Sequence, residues 1–192
     1  MTELPVKAIV IGASAGAVQA LTAILPALPA SYPFPVLVVV HVPADRGNLL
    51  VPLFAAKCQV RVKEAEDKEP ITGGVVYFAP SDYHLLVEAD GGALALSSDE
   101  IVNYSRPSID VLFESAADAY GPSLIGVVLT GANHDGAAGL KAVVDAGGVG
   151  LVENPVGAYA PTMPHAALDA CPAARIMKLE AIASYLSSLG TT

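Results

Sequence analysis

Short apolar runs recur along the chain and alternate with segments whose apolar residues fall at helical spacing. Residues 7–11 form the first run, rich in Ile and Val and ended by Gly12. An apolar run without alternation predicts a strand covered on both faces. Residues 17–28 then predict a helix that Pro29 stops. Residues 35–40 predict a second buried strand and 49–57 a helix, with a short strand near Val60. The middle of the chain changes character. Residues 74–79 and 84–88 are strand-like, Asp90-Gly91-Gly92 signals a turn, and 93–96 continue as a strand. Together they predict an antiparallel hairpin region inserted on the main sheet. The first rhythm then resumes with a helix over 108–120, a buried strand over 124–129, a helix over 136–146 closed by Gly147-Gly148, and a strand over 149–152. Residues 154–164, with three prolines, read as a loop, 175–178 as a final strand and 180–189 as a final helix.

This alternation predicts an α/β fold: a mostly parallel, doubly wound sheet with helices on both faces and a small antiparallel hairpin insertion. The 192 residues suit a single domain. In such sheets ligands bind beyond the carboxyl ends of the strands. What stands at each strand end therefore matters most.

Three polar residues stand there. Gly12-Ala13-Ser14-Ala15-Gly16 has the form G-x-S-x-G between a buried strand and a helix. Small residues let the backbones pass closely, and the turn lifts the Ser14 hydroxyl above the sheet. His41 directly follows the second strand and could accept the serine proton near neutral pH. Asp135 follows the third central strand, where a carboxylate could orient the imidazole. Each residue has a plainer reading. Ser14 and Asp135 suit helix caps, and His41 suits a satisfied histidine at a strand end. His134 is a weaker alternative base, and His84 and His165 read as structural or peripheral.

Composition narrows the partners. Apolar residues make up 53% and charged residues 15%, enough to build a core and too apolar for a disordered chain. Ten Lys and Arg against a net charge of −9 argue against nucleic acid. No apolar run approaches the ~20 residues of a membrane span, and the first residues lack the pattern of a signal peptide. The two cysteines form no disulfide framework. A cytoplasmic protein without membrane insertion is expected. The acidic cluster at 64–69 reads as a solvated loop.

Several segments, in order, resemble the CheB family, the protein-glutamate methylesterases of bacterial chemotaxis. They are Val10-Ile11-Gly12-Ala13-Ser14-Ala15-Gly16, His41-Val42-Pro43, residues 73–80 with His84-Leu85, Ser105-Arg106-Pro107-Ser108-Ile109-Asp110, Leu129-Thr130-Gly131 with Asp135-Gly136-Ala137, and Met163-Pro164. The resemblance implies a Ser-His-Asp triad at Ser14, His41 and Asp135. It also implies hydrolysis of glutamate methyl esters on chemoreceptors with release of methanol, and in some members deamidation of glutamine. No metal or cofactor is implied. Backbone N–H groups of Ala15 and Ala132 are candidates for an oxyanion hole. Arg106, Met163 and Tyr159 are candidates for lining the site, with a structural salt bridge as the other reading of Arg106.

The expected partner is the cytoplasmic domain of a methylated chemoreceptor or another methylated protein, with any control exerted by a separate regulator. Typical members carry a receiver domain ahead of the esterase, and none is expected here. Many members also have methionine where this chain has Ala132, and glycine where it has Asn133. Two other classes compete with the esterase. One is a non-catalytic regulatory or binding module on the same scaffold. The other is a nucleotide-binding domain, poorly supported because G-x-G-x-x-G and the Walker pattern are both absent.

Overall fold

The computed structural model describes residues 5–42 and 49–190. Pro43 of the His41-Val42-Pro43 segment lies outside them. The first half runs β1 (Ala8–Ala13), α1 (Ala17–Ile24), β2 (Val36–Val40), α2 (Leu50–Ala55), β3 (Arg61–Glu64), β4 (Val75–Phe78), β5 (His84–Val87) and β6 (Leu94–Ser97). The second half runs α3 (Ile109–Tyr120), β7 (Leu124–Val128), α4 (Ala137–Asp145), β8 (Val149–Glu153), α5 (Thr162–Ala170), β9 (Arg175–Met177) and α6 (Leu179–Ser188). Seven strands form one parallel sheet in the order β3-β4-β2-β1-β7-β8-β9.

The central strands are buried on both faces, as their unbroken apolar runs predict. Ile9, Ile11 and Ala13 of β1 join one core with Leu21 of α1, Phe54 of α2 and Ile182 of α6. Ala8 and Val10, pointing the other way, join a second core with Phe113 of α3, Leu140 of α4 and Ala167 of α5. This period-two division assigns three helices to each face of the sheet. The chain leaves β1 in one direction to β2 and returns on its other side at β7, so β1 lies at a topological switch point.

Two expectations need correction. Residues 74–79 do not belong to the hairpin. Val75–Phe78 is a parallel strand between β3 and β2, and all four of its residues are buried. Consecutive buried residues mark a strand covered on both faces, which an antiparallel hairpin lying on a surface would not supply. The hairpin is β5 and β6 alone, in a separate two-stranded sheet. It is tied to α3 where the Val87 N–H donates to Ser115 Oγ at 3.1 Å.

The predicted loop over 154–164 also ends too late, because α5 begins at Thr162. Pro161 caps that helix and Pro164 occupies its first turn. The missing proline N–H groups cost nothing there, since first-turn N–H groups have no partner within the helix. These prolines mark a helix start.

Candidate active site

The three candidate residues stand at the carboxyl ends of adjacent strands. The Ser14 N–H donates to Thr130 O at 2.9 Å, and the His41 N–H donates to Ala13 O at 3.2 Å. The sheet ladder thus continues one step past β1 and β2 and carries both residues with it. Gly12 and Gly16 are required on steric grounds. A Cβ on Gly12 would lie 2.4 Å from Ile109 Cγ2, and one on Gly16 would lie 2.7 Å from Tyr159 Cβ. Gly16 also has φ 85°, in the left-handed region that favours glycine.

Thr130 knits the neighbouring loops together. Its hydroxyl donates to Ala15 O at 2.8 Å and accepts the Ala160 N–H at 2.8 Å. Its own N–H donates to the buried Glu153 carboxylate at 2.8 Å. Burial, reinforced by the nearby Glu180 charge, pushes Glu153 above the usual carboxylate range.

Asp135 is fully buried and gathers donors from three directions. His41 Nε2 lies 2.7 Å from its Oδ2. Ser108 Oγ donates to Oδ1 at 2.8 Å, and Asn103 Nδ2 donates to the same oxygen at 2.9 Å. The Ile109 and Asp110 N–H groups at the start of α3 donate at 2.6 and 3.1 Å. Asp135 therefore caps α3, not the helix α4 that it precedes. Asp110 returns the exchange, its Oδ1 accepting the Gly136 and Gly139 N–H groups of α4 at 3.0 and 2.6 Å. Asn103 bridges the pair through a second bond to Asp110 Oδ2 at 2.6 Å.

The two carboxylates respond in opposite directions. Burial alone would raise Asp135, but hydrogen bonds from His41, Asn103, Ile109 and Asp110 outweigh it and hold the group below the usual range. A helix N-terminus adds to the preference for negative charge. Asp110 is raised, first by burial and then by the charge of Asp135, against the bonds it accepts.

Because a carboxylate only accepts, the bond to Asp135 puts the proton of neutral His41 on Nε2 and leaves its lone pair on Nδ1. Ser14 and His41 line one open cleft of about 600 Å³, together with Val18, Leu50 and Tyr159. Among the described residues no hydrogen bond joins the Ser14 hydroxyl to the imidazole. Apo sites commonly have such slack, which tightens in the substrate complex. The backbone N–H groups of Ala15 and Ala132 donate to no other described residue, so both remain available to a ligand.

The other expected residues separate by location. Arg106 is committed to structure. Its guanidinium donates to Asp82 Oδ1 at 2.6 and 3.1 Å and to the Ser98 and Asp99 carbonyls at 2.9 and 3.0 Å. Met163 is buried and packs behind Gly131, whose added Cβ would meet its Cε at 2.3 Å. It is not among the residues that line the cleft. Tyr159 lines the cleft and is 75% exposed. His134 is exposed, while the bond to Asp135 goes to His41. His84 is buried, with Nδ1 accepting the Ser108 N–H at 3.1 Å and Nε2 facing Glu100 O at 2.9 Å.

Sequence reasoning missed Asn103, which sits at φ 52°, where asparagine is favoured among non-glycine residues. It also missed that the Asn133 amide reaches His41. Asn133 Nδ2 lies 3.2 Å from His41 Nδ1.

A parallel sheet with a largely apolar cleft at its switch point, holding Ser14 and His41, is the ligand-binding arrangement of the open α/β class. The chain belongs to the CheB methylesterase family, whose sequence profile matches residues 9–186. It is 46% identical over 183 residues to a protein of Leptospira interrogans provisionally named a protein-glutamate methylesterase/protein-glutamine glutaminase, covering 95% of this chain and 94% of that one. It is 36% identical to a protein-glutamate methylesterase/protein-glutamine glutaminase of Carboxydothermus hydrogenoformans, over 94% of this chain but 54% of that one. The crystal structure of the Thermotoga maritima CheB methylesterase catalytic domain superposes with a TM-score of 0.91 at 32% identity, covering 97% of this chain and 100% of that one.

Proposed function

We propose that the protein hydrolyses glutamate methyl esters on methylated chemoreceptors, with Ser14 as nucleophile, His41 as base and Asp135 as the group that orients the base. The observation that carries this reading is the 2.7 Å bond from His41 Nε2 to buried Asp135. It leaves the Nδ1 lone pair for the serine proton, in the cleft that Ser14 also lines. Residues 1–192 act as one methylesterase domain, a reading supported by two cores sharing one sheet.

Ser14 Oγ attacks the ester carbonyl as His41 Nδ1 takes its proton. The N–H groups of Ala15 and Ala132 receive the oxyanion, a contribution worth roughly 10²–10³ in rate per donor in comparable sites. The intermediate collapses, and methoxide leaves as methanol with the proton from His41. Water then attacks the acyl-enzyme with His41 again as base, freeing the glutamate carboxyl. The same steps on a glutamine amide would release ammonia, the second activity in the relatives' names.

The test is methanol release from methylated chemoreceptor by wild type and Ser14→Ala. Wild-type release should fall by roughly 10³-fold or more in the variant, with unchanged thermal stability. Continued release by Ser14→Ala would remove Ser14 from the nucleophile's role.

A further inference from the structure

We propose that Asn133 is a positioning residue that caps the His41 lone pair in the resting enzyme and must yield it to Ser14 before reaction. This rests on the triad reading above. The donor and acceptor assignments are forced from both sides of the ring. Asn133 Oδ1 accepts the Asp135 N–H at 3.0 Å, and an N–H can donate only to the amide oxygen, not to the NH₂. The amide is thereby oriented with its NH₂ group toward His41 Nδ1 at 3.2 Å. On the far side Nε2 gives its proton to Asp135. Neutral His41 has one lone pair, and Asn133 holds it.

The lone pair that Asn133 occupies is the one that must receive the serine proton. Among the described residues the Ser14 hydroxyl, in the same cleft, has no bond to the ring. The contact is long for a hydrogen bond and joins neutral groups, so it can be displaced. Among the described residues, the charged and titratable groups near the ring are Asp135 on Nε2, Asp110 behind Asp135 across Asn103, exposed His134 beside Asn133, and Tyr159 in the same cleft. None of them holds Nδ1.

The probe is a small alkyl fluorophosphonate, which reports on Ser14 and His41 without a protein substrate. Ser14 Oγ forms a bond to phosphorus, the P–F bond breaks, fluoride leaves, and the serine proton passes to His41 Nδ1 and then to water. Asn133→Gly frees the lone pair and also removes the acceptor of the Asp135 N–H, while the Asp135 carboxylate keeps the bonds that hold it and the ring. The maximal labelling rate of Ser14 should rise about 2- to 10-fold, the equivalent of one neutral hydrogen bond, with the half-saturating concentration unchanged.

Asn133→Asp separates this role from a merely structural one. It keeps an oxygen for the Asp135 N–H, but it presents a carboxylate that pairs with the doubly protonated ring, which has no lone pair to give. Labelling at neutral pH should therefore fall below wild type. Equal or slower labelling of Asn133→Gly overturns the proposal, as does wild-type behaviour of Asn133→Asp, the result expected if Asn133 only supports the turn. Failure of the wild type to label at Ser14 overturns the triad reading and this proposal with it. Normal wild-type labelling with unmoved variants overturns this proposal alone.

Discussion

The molecule contains two Ser and His pairs that converge on the same aspartate. Ser14 and His41 line the open cleft, while Ser108 and His84 lie in the interior. The residue types are the same, but the commitments differ. His84 has both ring nitrogens engaged by the backbone, at Ser108 N and Glu100 O, and the Ser108 hydroxyl is given to Asp135. No lone pair or hydroxyl in that pair faces a ligand. His41 also has both ring nitrogens engaged, but only Nε2 by a carboxylate; Nδ1 is held by the longer, neutral contact to Asn133, and Ser14 borders about 600 Å³ of open space. Residue type does not mark a site. What marks it is a donor or acceptor that is free, or held by a contact weak enough to displace, where a substrate can arrive.

Asp135 serves both pairs, so changing it should give the largest effect. In Asp135→Asn one of the two oxygens becomes an NH₂ group. Oδ2 accepts from His41 and Ile109, and Oδ1 accepts from Ser108, Asn103 and Asp110, so the new donor meets donors in either orientation. Turnover should fall by roughly 10³–10⁴, the scale seen when a triad carboxylate is lost. Stability should fall by about 3 kcal/mol or more at neutral pH, because several hydrogen bonds to one charged acceptor are weakened together, each worth roughly 1.5–3 kcal/mol. Kinetics and chemical denaturation on one preparation check both. Full turnover would show that His41 does not depend on this carboxylate. Acid makes the same change reversibly. Asp135 is lowered in the folded state, so its stabilisation is present above the ordinary carboxylate range and is lost as pH falls through its folded value.

Ser108→Ala tests the interior pair alone. Asp135 keeps its bonds to His41, Asn103, Ile109 and Asp110, so the cost should be one hydrogen bond to a charged acceptor, about 1–3 kcal/mol. Methanol release should drop by much less than the ~10²–10⁴ attributed to general-base catalysis. A loss as large as that of Ser14→Ala would show that Asp135 cannot orient His41 without the Ser108 hydroxyl.

The sequence made the cleft legible and left its foundation hidden, for a physical reason. Ser14, His41 and Asp135 each follow an apolar run, so the strand pattern alone brings them to one edge of the sheet. Asn103, Ser108 and Asp110 meet Asp135 only because α3 docks on α4, a contact that no local periodicity encodes. Asp135 illustrates the difference. Its position before α4 suggests a local cap, while the carboxylate caps another helix across the interface. The β4 run reads as extended from its residues alone, but a four-residue apolar run does not specify its neighbours, and the parallel sheet rather than the hairpin takes it.

The smallest expected effect belongs to Glu153, a third buried carboxylate and one outside both pairs. It ends β8 and accepts the Thr130 N–H, and Thr130 in turn holds Ser14 and Ala15. Burial raises Glu153, so the folded state disfavours its charge. An acid raised on folding contributes stability below its unfolded value, and that contribution is lost as pH rises through the folded value. Glu153→Gln keeps an oxygen for Thr130 and removes the charge. It should match wild type near pH ~4 and be more stable near pH ~7.5 by less than about 1 kcal/mol, the scale of one hydrogen bond. Denaturant midpoints at the two values measure the difference, and methanol release should be unchanged. A gain that grows with pH would place Glu153 with the interior pair, as a group that supports the turn without chemistry. A loss of stability at the higher pH would mean that the charged form strengthens the bond to Thr130 by more than burial costs it, and that ionised Glu153 helps hold the Ser14 turn.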